Sequence, residues 1–332
     1  MKHYSHLATA TNILWQLVEA NGHDPETLYR DVGIDPDIRN KPGARIPSPL
    51  VNRLWASAAE IIDDPCFGLG AHKYWHPSYF HALGYAWLAS HTLRDALNRF
   101  VRYLRIVSEK IFLTLEECPA GLRLTLSYKI LGMRVPAQID MGMAMSIHIC
   151  RLNFGADLKP VAVSFMHNEP SCAEKYFDLF KAPVRFLAER DSMTFSFPDV
   201  DRYLMGANSQ LARLNDQVMI DYLAKLDKDD IVNRVTAAIV DMLPSGGVAD
   251  EKIAVTLNMS VRSLQRRLQE AGTTFRMILE TVRKDLASTY VHDPEIELAE
   301  VAFLLGFSDQ SAFSRAFKRW TGNPPSEVRR SS

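Results

Sequence analysis

From residue 251 onward the apolar and polar positions run twice through the same cycle. A short apolar segment leads into a tight turn, and the turn leads into a segment with one apolar and one basic-polar side. In the first cycle Ile253 and Ala254 precede Asn258, after which Leu264 and Leu268 alternate with Arg262, Gln265 and Arg266. In the second, Val301 and Leu305 precede Gly306, and Phe313 and Phe317 alternate with Gln310, Ser311, Ser314, Arg315 and Lys318. Spacings of three and four gather each set on one side of a helix. The pattern predicts two helix-turn-helix units. Between them, residues 274–291 contain neither Gly nor Pro, and Phe275, Ile278, Leu279, Val282, Leu286 and Tyr290 recur at helical spacing. A connecting helix of that length spans about 27 Å at 1.5 Å per residue.

The turn residues agree with the periodicity. Asn258 and Gly306 stand where the chain needs a positive φ, and Ser260 and Ser308 are placed to cap the helices that follow. Asp293 reads as an N-cap with Pro294 in the first helical position. Gly272 and Gly322 close the second helix of each unit, and Pro324 with Pro325 forbids continuation. Ile296, Val301, Leu305, Phe307, Phe313, Phe317 and Trp320 supply a small core for the second unit.

The earlier residues carry mixed periods. Helical spacing is expected over 9–19, 47–62 and from Leu93 to Val107, where Thr92 precedes the stripe. Residues 111–116 and 122–128 alternate as a hairpin around Pro119, Ala120 and Gly121, and 161–165, 184–187 and 193–197 read as further strands. Residues 137–152 are apolar nearly all round, which predicts a buried helix. Residues 208–226 form a helix leading to a charged run at 227–230. The expected organisation is an α+β effector or dimerisation domain over 1–207, a linker helix and boundary over 208–230, and an all-α domain over 231–330. In that last domain a long helix joins the two helix-turn-helix motifs.

The run from Ser260 to Leu268, then Gly272 and Phe275, then Arg283 and Ala287, resembles the first half of an AraC/XylS-type DNA-binding domain. Val301, Ala302, Gly306, Phe307, Ser308, Ser311, Phe313, Arg315, Phe317 and Lys318, with Gly322, Pro325 and Arg329 beyond, resemble that family's most specific stretch. The resemblance implies base reading by Arg262, Gln265 and Arg266, and by Gln310, Ser311, Ser314 and Arg315, with Lys318 meeting phosphate. Ala312 departs from the polar residue often found there and is left with contact to a thymine methyl. Upstream, Gly84 to Ser90 and Thr92 to Leu97, with Arg102 and Tyr103, are similar to the OruR-like branch of the family, whose amino-terminal domain is of the arabinose-binding type. That likeness implies effector sensing or dimerisation. With it go a homodimer through the first domain, double-stranded promoter DNA and RNA polymerase as partners, and a bacterial cytoplasmic, nucleoid-associated location.

Bulk charge does not announce this function. The 332 residues carry a net charge of −1, and residues 231–332 hold 13 Lys plus Arg against 12 Asp plus Glu. The signal is the clustering of Arg262, Arg266, Arg267, Arg315, Lys318 and Arg319 on two segments. Nothing at the start of the chain reads as a signal peptide. Cys66, Cys118, Cys150 and Cys172 are scattered without metal spacing and read as reduced, buried thiols. His72, His76 and His81 surround Pro77, which breaks the helix that paired ligation needs, so no metal is expected.

No nucleotide, cofactor or serine-hydrolase motif is present, and no cofactor is expected. Cys150, beside Arg151 and near His148, leaves one enzyme alternative, a Cys-dependent alkyl transferase fused to a DNA-binding domain. The other alternative is a first domain that dimerises and binds nothing. For an effector pocket the candidates are Trp75, Tyr79 and Tyr85 from an aromatic-rich stretch, and Met141 and Met145 from the methionine-rich helix. Arg99, Arg102 and Arg105 are expected on an exposed face.

Overall fold

The computed structural model describes residues 4–129, 135–226, 231–293 and 296–330. The chain divides into two compact units, Met1–Asn215 and Asp216–Ser332, and the division falls inside the helix Ser209–Leu226. Pro294 and the charged run at 227–230 lie outside the described residues.

The first unit is α+β. Strands β1 (Ser5–Leu7) and β2 (Arg45–Pro47) form an antiparallel pair that the sequence pattern did not reveal. The main sheet contains β3 (Ile111–Cys118), β4 (Gly121–Tyr128), β5 (Ala162–Ser164), β6 (Val184–Arg185) and β7 (Asp191–Phe195), in the order β3-β4-β7-β5-β6. Among the described residues only the β5–β6 pairing is parallel. Alternation decides which side of β4 faces inward, so Leu122, Leu124, Leu126 and Tyr128 are buried. The helix Leu93–Tyr103 begins where Thr92 accepts a hydrogen bond from the amide of Asp95.

The methionine-rich segment is the helix Pro136–Phe154. It crosses the segment Phe67–Tyr74 so closely that a Cβ on Gly68 would lie 2.1 Å from the carbonyl oxygen of Ala137. Only glycine permits that approach. Trp87 ties the same helix down by donating its indole N–H to the carbonyl of Ile149 at 2.8 Å.

Two expectations for this unit fail. Arg99 is buried, pairing with Asp95 and donating to the hydroxyl of Ser90 at 3.0 Å, because the helix turns that position toward the core. Cys66 and Cys172 form a disulfide with their Cα atoms 6.3 Å apart, while Cys118 and Cys150 are free. The pair stands 106 residues apart in sequence, so local spacing carried no sign of it.

Among its described residues the second unit contains helices and turns but no strand. Its helices are Ile231–Met242, Asp250–Thr256, Val261–Glu270, Phe275–Tyr290, Leu298–Leu304, Gln310–Thr321 and Pro325–Arg330. A single apolar cluster runs through it, from Val235 and Ile239 past Ile253, Leu264 and Leu268 to Val301, Phe313 and Phe317. The small separate core expected for the second motif is part of this larger one. Ile231–Met242 supplies much of the shared apolar surface, and the long helix Phe275–Tyr290 adds Ile278, Val282 and Leu286.

Candidate nucleic-acid interface

The first motif pairs Asp250–Thr256 with Val261–Glu270. Asn258 takes φ = 53° at the turn, and Ser260 caps the next helix by accepting from the amide of Ser263 at 3.2 Å. Leu264 and Leu268 point into the core, so the positions between them must face solvent. Arg262, Gln265 and Arg266 are all exposed there. Two of them have partners. Gln265 donates to Asp250 Oδ2 at 2.8 Å, and Arg266 pairs with Glu270 Oε1 at 2.9 Å. An exposed pair of this kind is worth little and yields readily to a phosphate or a base edge.

The second motif pairs Leu298–Leu304 with Gln310–Thr321. Gly306 takes φ = 65° at its turn, and a Cβ there would stand 2.9 Å from the carbonyl oxygen of Leu243. The caps differ from those expected. Glu297, not Asp293, occupies the N-cap of the first helix and makes no side-chain cap bond. Asp309, not Ser308, caps the second by accepting from the amide of Ala312 at 2.7 Å. That amide, and then the hydroxyl of Ser308, hold the Asp309 carboxyl below the usual carboxylate range. Phe313, Ala316 and Phe317 face inward, and Gln310, Ser311, Arg315 and Lys318 face out, with Ser314 half-buried beside them.

The long helix holds the second motif through two side chains. Arg283 donates to the carbonyls of Leu305 at 2.9 Å and Gly306 at 2.7 Å, and its guanidinium lies 4.5 Å from the Phe307 ring centroid. Glu280 Oε1 accepts from the Trp320 indole at 2.9 Å and from Arg319 at 2.8 Å. Those donors, the indole first, hold the Glu280 carboxyl below its ordinary range. The turn and the outward-facing helix are thus fixed to one rod.

Residues 22–204 match the family described as the arabinose-binding domain of AraC transcription regulator, N-terminal, and 253–331 match a helix-turn-helix domain family. The ornithine utilization regulator of Pseudomonas aeruginosa is 30% identical over 95% of this chain and 94% of its own. The chain belongs to the AraC family of transcription regulators. The regulator VirS of Mycobacterium tuberculosis is 29% identical, over 97% of this chain and 96% of its own. The crystal structure of the regulator CdpR from Pseudomonas aeruginosa is 19% identical with a TM-score of 0.49, covering 96% of this chain and 98% of that one.

As a member of this family the chain is a DNA-binding transcriptional regulator, not an enzyme. Cys150 agrees with that, since full burial drives its thiol pKa upward and away from a reactive thiolate. Among the described residues the one grouping of metal-type donors is Asp64 with Cys66 and Cys172, and the disulfide uses both sulfurs.

The five effector candidates do not converge. Met141 and Met145 line an apolar cavity in the first unit, whereas Trp75, Tyr79 and Tyr85 are absent from its wall. Trp75 packs edge-on to Phe80, the Tyr79 hydroxyl accepts from Gln16 at 2.8 Å, and Tyr85 is exposed. Glu280 and its link to Trp320 escaped the sequence pattern, because a partner 40 residues away leaves no local period. Arg283 stood within the family-like stretch, without a role attached.

Proposed function

We propose that the protein is an effector-controlled promoter-binding regulator whose two outward helices enter successive major grooves of one DNA face. Arg262, Gln265 and Arg266 read one half-site in this account, and Gln310, Ser311, Ser314 and Arg315 read the other. Lys318 contacts phosphate. The observation that carries the reading is the pair of polar helix faces backed by one shared core and tied to one rod. The helix Phe275–Tyr290 is 16 residues long, about 24 Å at 1.5 Å per residue. Successive groove windows lie about 34 Å apart, a span that two recognition helices flanking such a rod suit.

The first domain, over 1–207, senses a small molecule and pairs two copies of the chain, and the segment 208–230 relays its state to the DNA-binding unit. Among the described residues no helix is long and apolar enough to cross a membrane, which suits a regulator acting on cytoplasmic, nucleoid-bound DNA. RNA polymerase is the partner through which promoter binding changes transcription.

The test begins by selecting DNA from a random pool with the full chain. Gel shifts on the selected site then follow the response to a library of small metabolites. Effector control requires at least one compound that changes the affinity, and by linkage the site must change that compound's affinity by the same factor. A chain that pairs in solution, binds its site and answers to no compound is a dimerising regulator without an effector.

A further inference from the structure

The first unit contains a partly open apolar cavity of about 90 Å³. Ile13, Leu14, Trp55, Phe80, Phe100 and Leu126 supply much of its wall. The helix Pro136–Phe154 closes one side with Gln138, Met141, Gly142, Met145 and Ser146, a single stripe at helical spacing. Among the described residues no Asp, Glu, Lys or Arg lines it.

Most of the polar side chains in the wall are occupied. Thr11 donates to the carbonyl of Ala8 at 2.7 Å, and Ser146 to that of Gly142 at 2.8 Å. The Ser108 hydroxyl accepts from the amides of Lys110 at 3.3 Å and Ile111 at 3.2 Å. Two atoms differ. Gln138 Oε1 and His6 Nε2 are buried without a hydrogen-bond partner among the described residues, and Gln138 is only 3% exposed. A buried polar atom left unmatched is costly, so a molecule in this apolar cavity gains by supplying the partner that either atom lacks.

We propose that this cavity is the effector site, and that it takes a small uncharged molecule with an apolar body and one O–H or N–H that donates to Gln138 Oε1. The proposal deepens the reading of the first unit as a sensor and rests on it. An amide oxygen can only accept, so the ligand must bring the hydrogen. His6 Nε2 offers the second contact, and its imidazole is neutral because burial, then Lys110 and Arg45, push its pKa down to about 3. Those two cations have work elsewhere. Lys110 donates to Asn52 Oδ1 at 2.7 Å, and Arg45 donates to the Ser5 hydroxyl at 2.7 Å and to the carbonyl of Ile106 at 2.7 Å. A carboxylate or ammonium in the cavity would find no opposite charge among the described residues of the wall.

Size narrows the class further. An apolar cavity of about 150 Å³ holds benzene, so the present volume suits roughly four heavy atoms. Met141 and Met145 can swing aside for a somewhat longer chain. Short alcohols and primary amides fit the description.

The full chain labelled with ¹³C at the methionine methyls is titrated with 1-butanol, butyramide, methyl propyl ether, butyrate and ornithine. The alcohol and the amide are expected to shift the Met141 and Met145 methyls saturably. The ether, matching butanol in size but lacking the donor, binds about tenfold more weakly or worse, the cost of leaving Gln138 unmatched. Butyrate and ornithine leave both methyls in place. In Gln138→Leu, checked as folded by its circular dichroism, butanol and the ether become equivalent.

Equal binding of ether and alcohol to the wild-type chain overturns the proposal even if the variant fails to fold. So does a shift caused by butyrate or ornithine in place of the alcohol, or no shift with any compound. A compound that alters DNA affinity without moving either methyl leaves the effector reading intact and removes the cavity from it. Cavity binding with no change in DNA affinity does the reverse.

Discussion

Arg283 joins the long helix to the carbonyl of Gly306, donating from Nη2 at 2.7 Å across 23 residues of sequence. The same guanidinium serves the carbonyl of Leu305, so the tight turn of the second motif has a single cationic clamp. Arg283→Met keeps the stem but strands both acceptors. The second unit is expected to lose about 2 kcal/mol, within the range for hydrogen bonds from a charged donor. Chemical denaturation followed through Trp320 fluorescence measures it. Protection of the second half-site should fall while the first is kept; equal loss at both would assign Arg283 a general structural role.

Glu270 holds Arg266 in the free protein, at 2.9 Å. Glu270→Gln releases the guanidinium and removes a negative charge from the DNA-facing helix. Affinity is expected to rise a few-fold on cognate and random DNA alike. Arg266→Ala, in contrast, costs about 1–3 kcal/mol on the cognate site if the contact is bidentate to a base. A matching loss on random DNA would make Arg266 a phosphate contact. Lys318→Ala lowers both affinities together and makes the salt dependence shallower.

His6 makes the first unit lose stability as the medium is acidified. His6 has its pKa lowered from 6.5 to about 3, so the folded chain keeps the imidazole neutral while the unfolded chain takes up a proton below pH 6.5. Stability is fully present above pH 6.5 and declines progressively down to about pH 3. Between pH 7 and pH 5 the contribution of His6 is about 2 kcal/mol at 1.36 kcal/mol per unit. His72, His81 and His148 are also lowered by burial and act in the same direction. Denaturation of His6→Gln at both pH values should show a loss smaller by that amount. Identical losses in variant and wild type would exclude His6 as a source.

The disulfide makes a simple count. Alkylation of the denatured, unreduced chain should label Cys118 and Cys150, and reduction should raise the number to four. Four labelled thiols before reduction contradict the pairing.

The features legible in the sequence were those with a local cause. Asn258 and Gly306 have positive φ because a helix must end abruptly there, and Ser260 caps because it stands at the first residue of the next turn. The amphipathic stripes of both recognition helices followed from their own spacing. Cap choice was less secure where neighbours compete. Ser308 and Asp309 are both good caps, and the backbone of the turn lets Asp309 reach the amide of Ala312.

Contacts made across the fold left no mark. Cys66 meets Cys172, Glu280 meets Trp320, and β1 meets β2, each through tertiary packing. The helix Ile231–Met242 went unread because its stripe is meaningful only beside Leu264 and Val282, which share its core. Trp75, Tyr79 and Tyr85 drew attention by composition, yet the cavity wall is formed by residues spread from His6 to Ser146.

The central claim is that one chain engages two major grooves through a rigid second unit. Hydroxyl-radical footprinting of the full chain on its selected site, repeated after five base pairs are inserted between the protected patches, tests it most directly. The account predicts two patches about one helical turn apart on the same face. It also predicts a large loss of affinity on the inserted site, with only one patch surviving. Unchanged affinity with both patches still protected would contradict it.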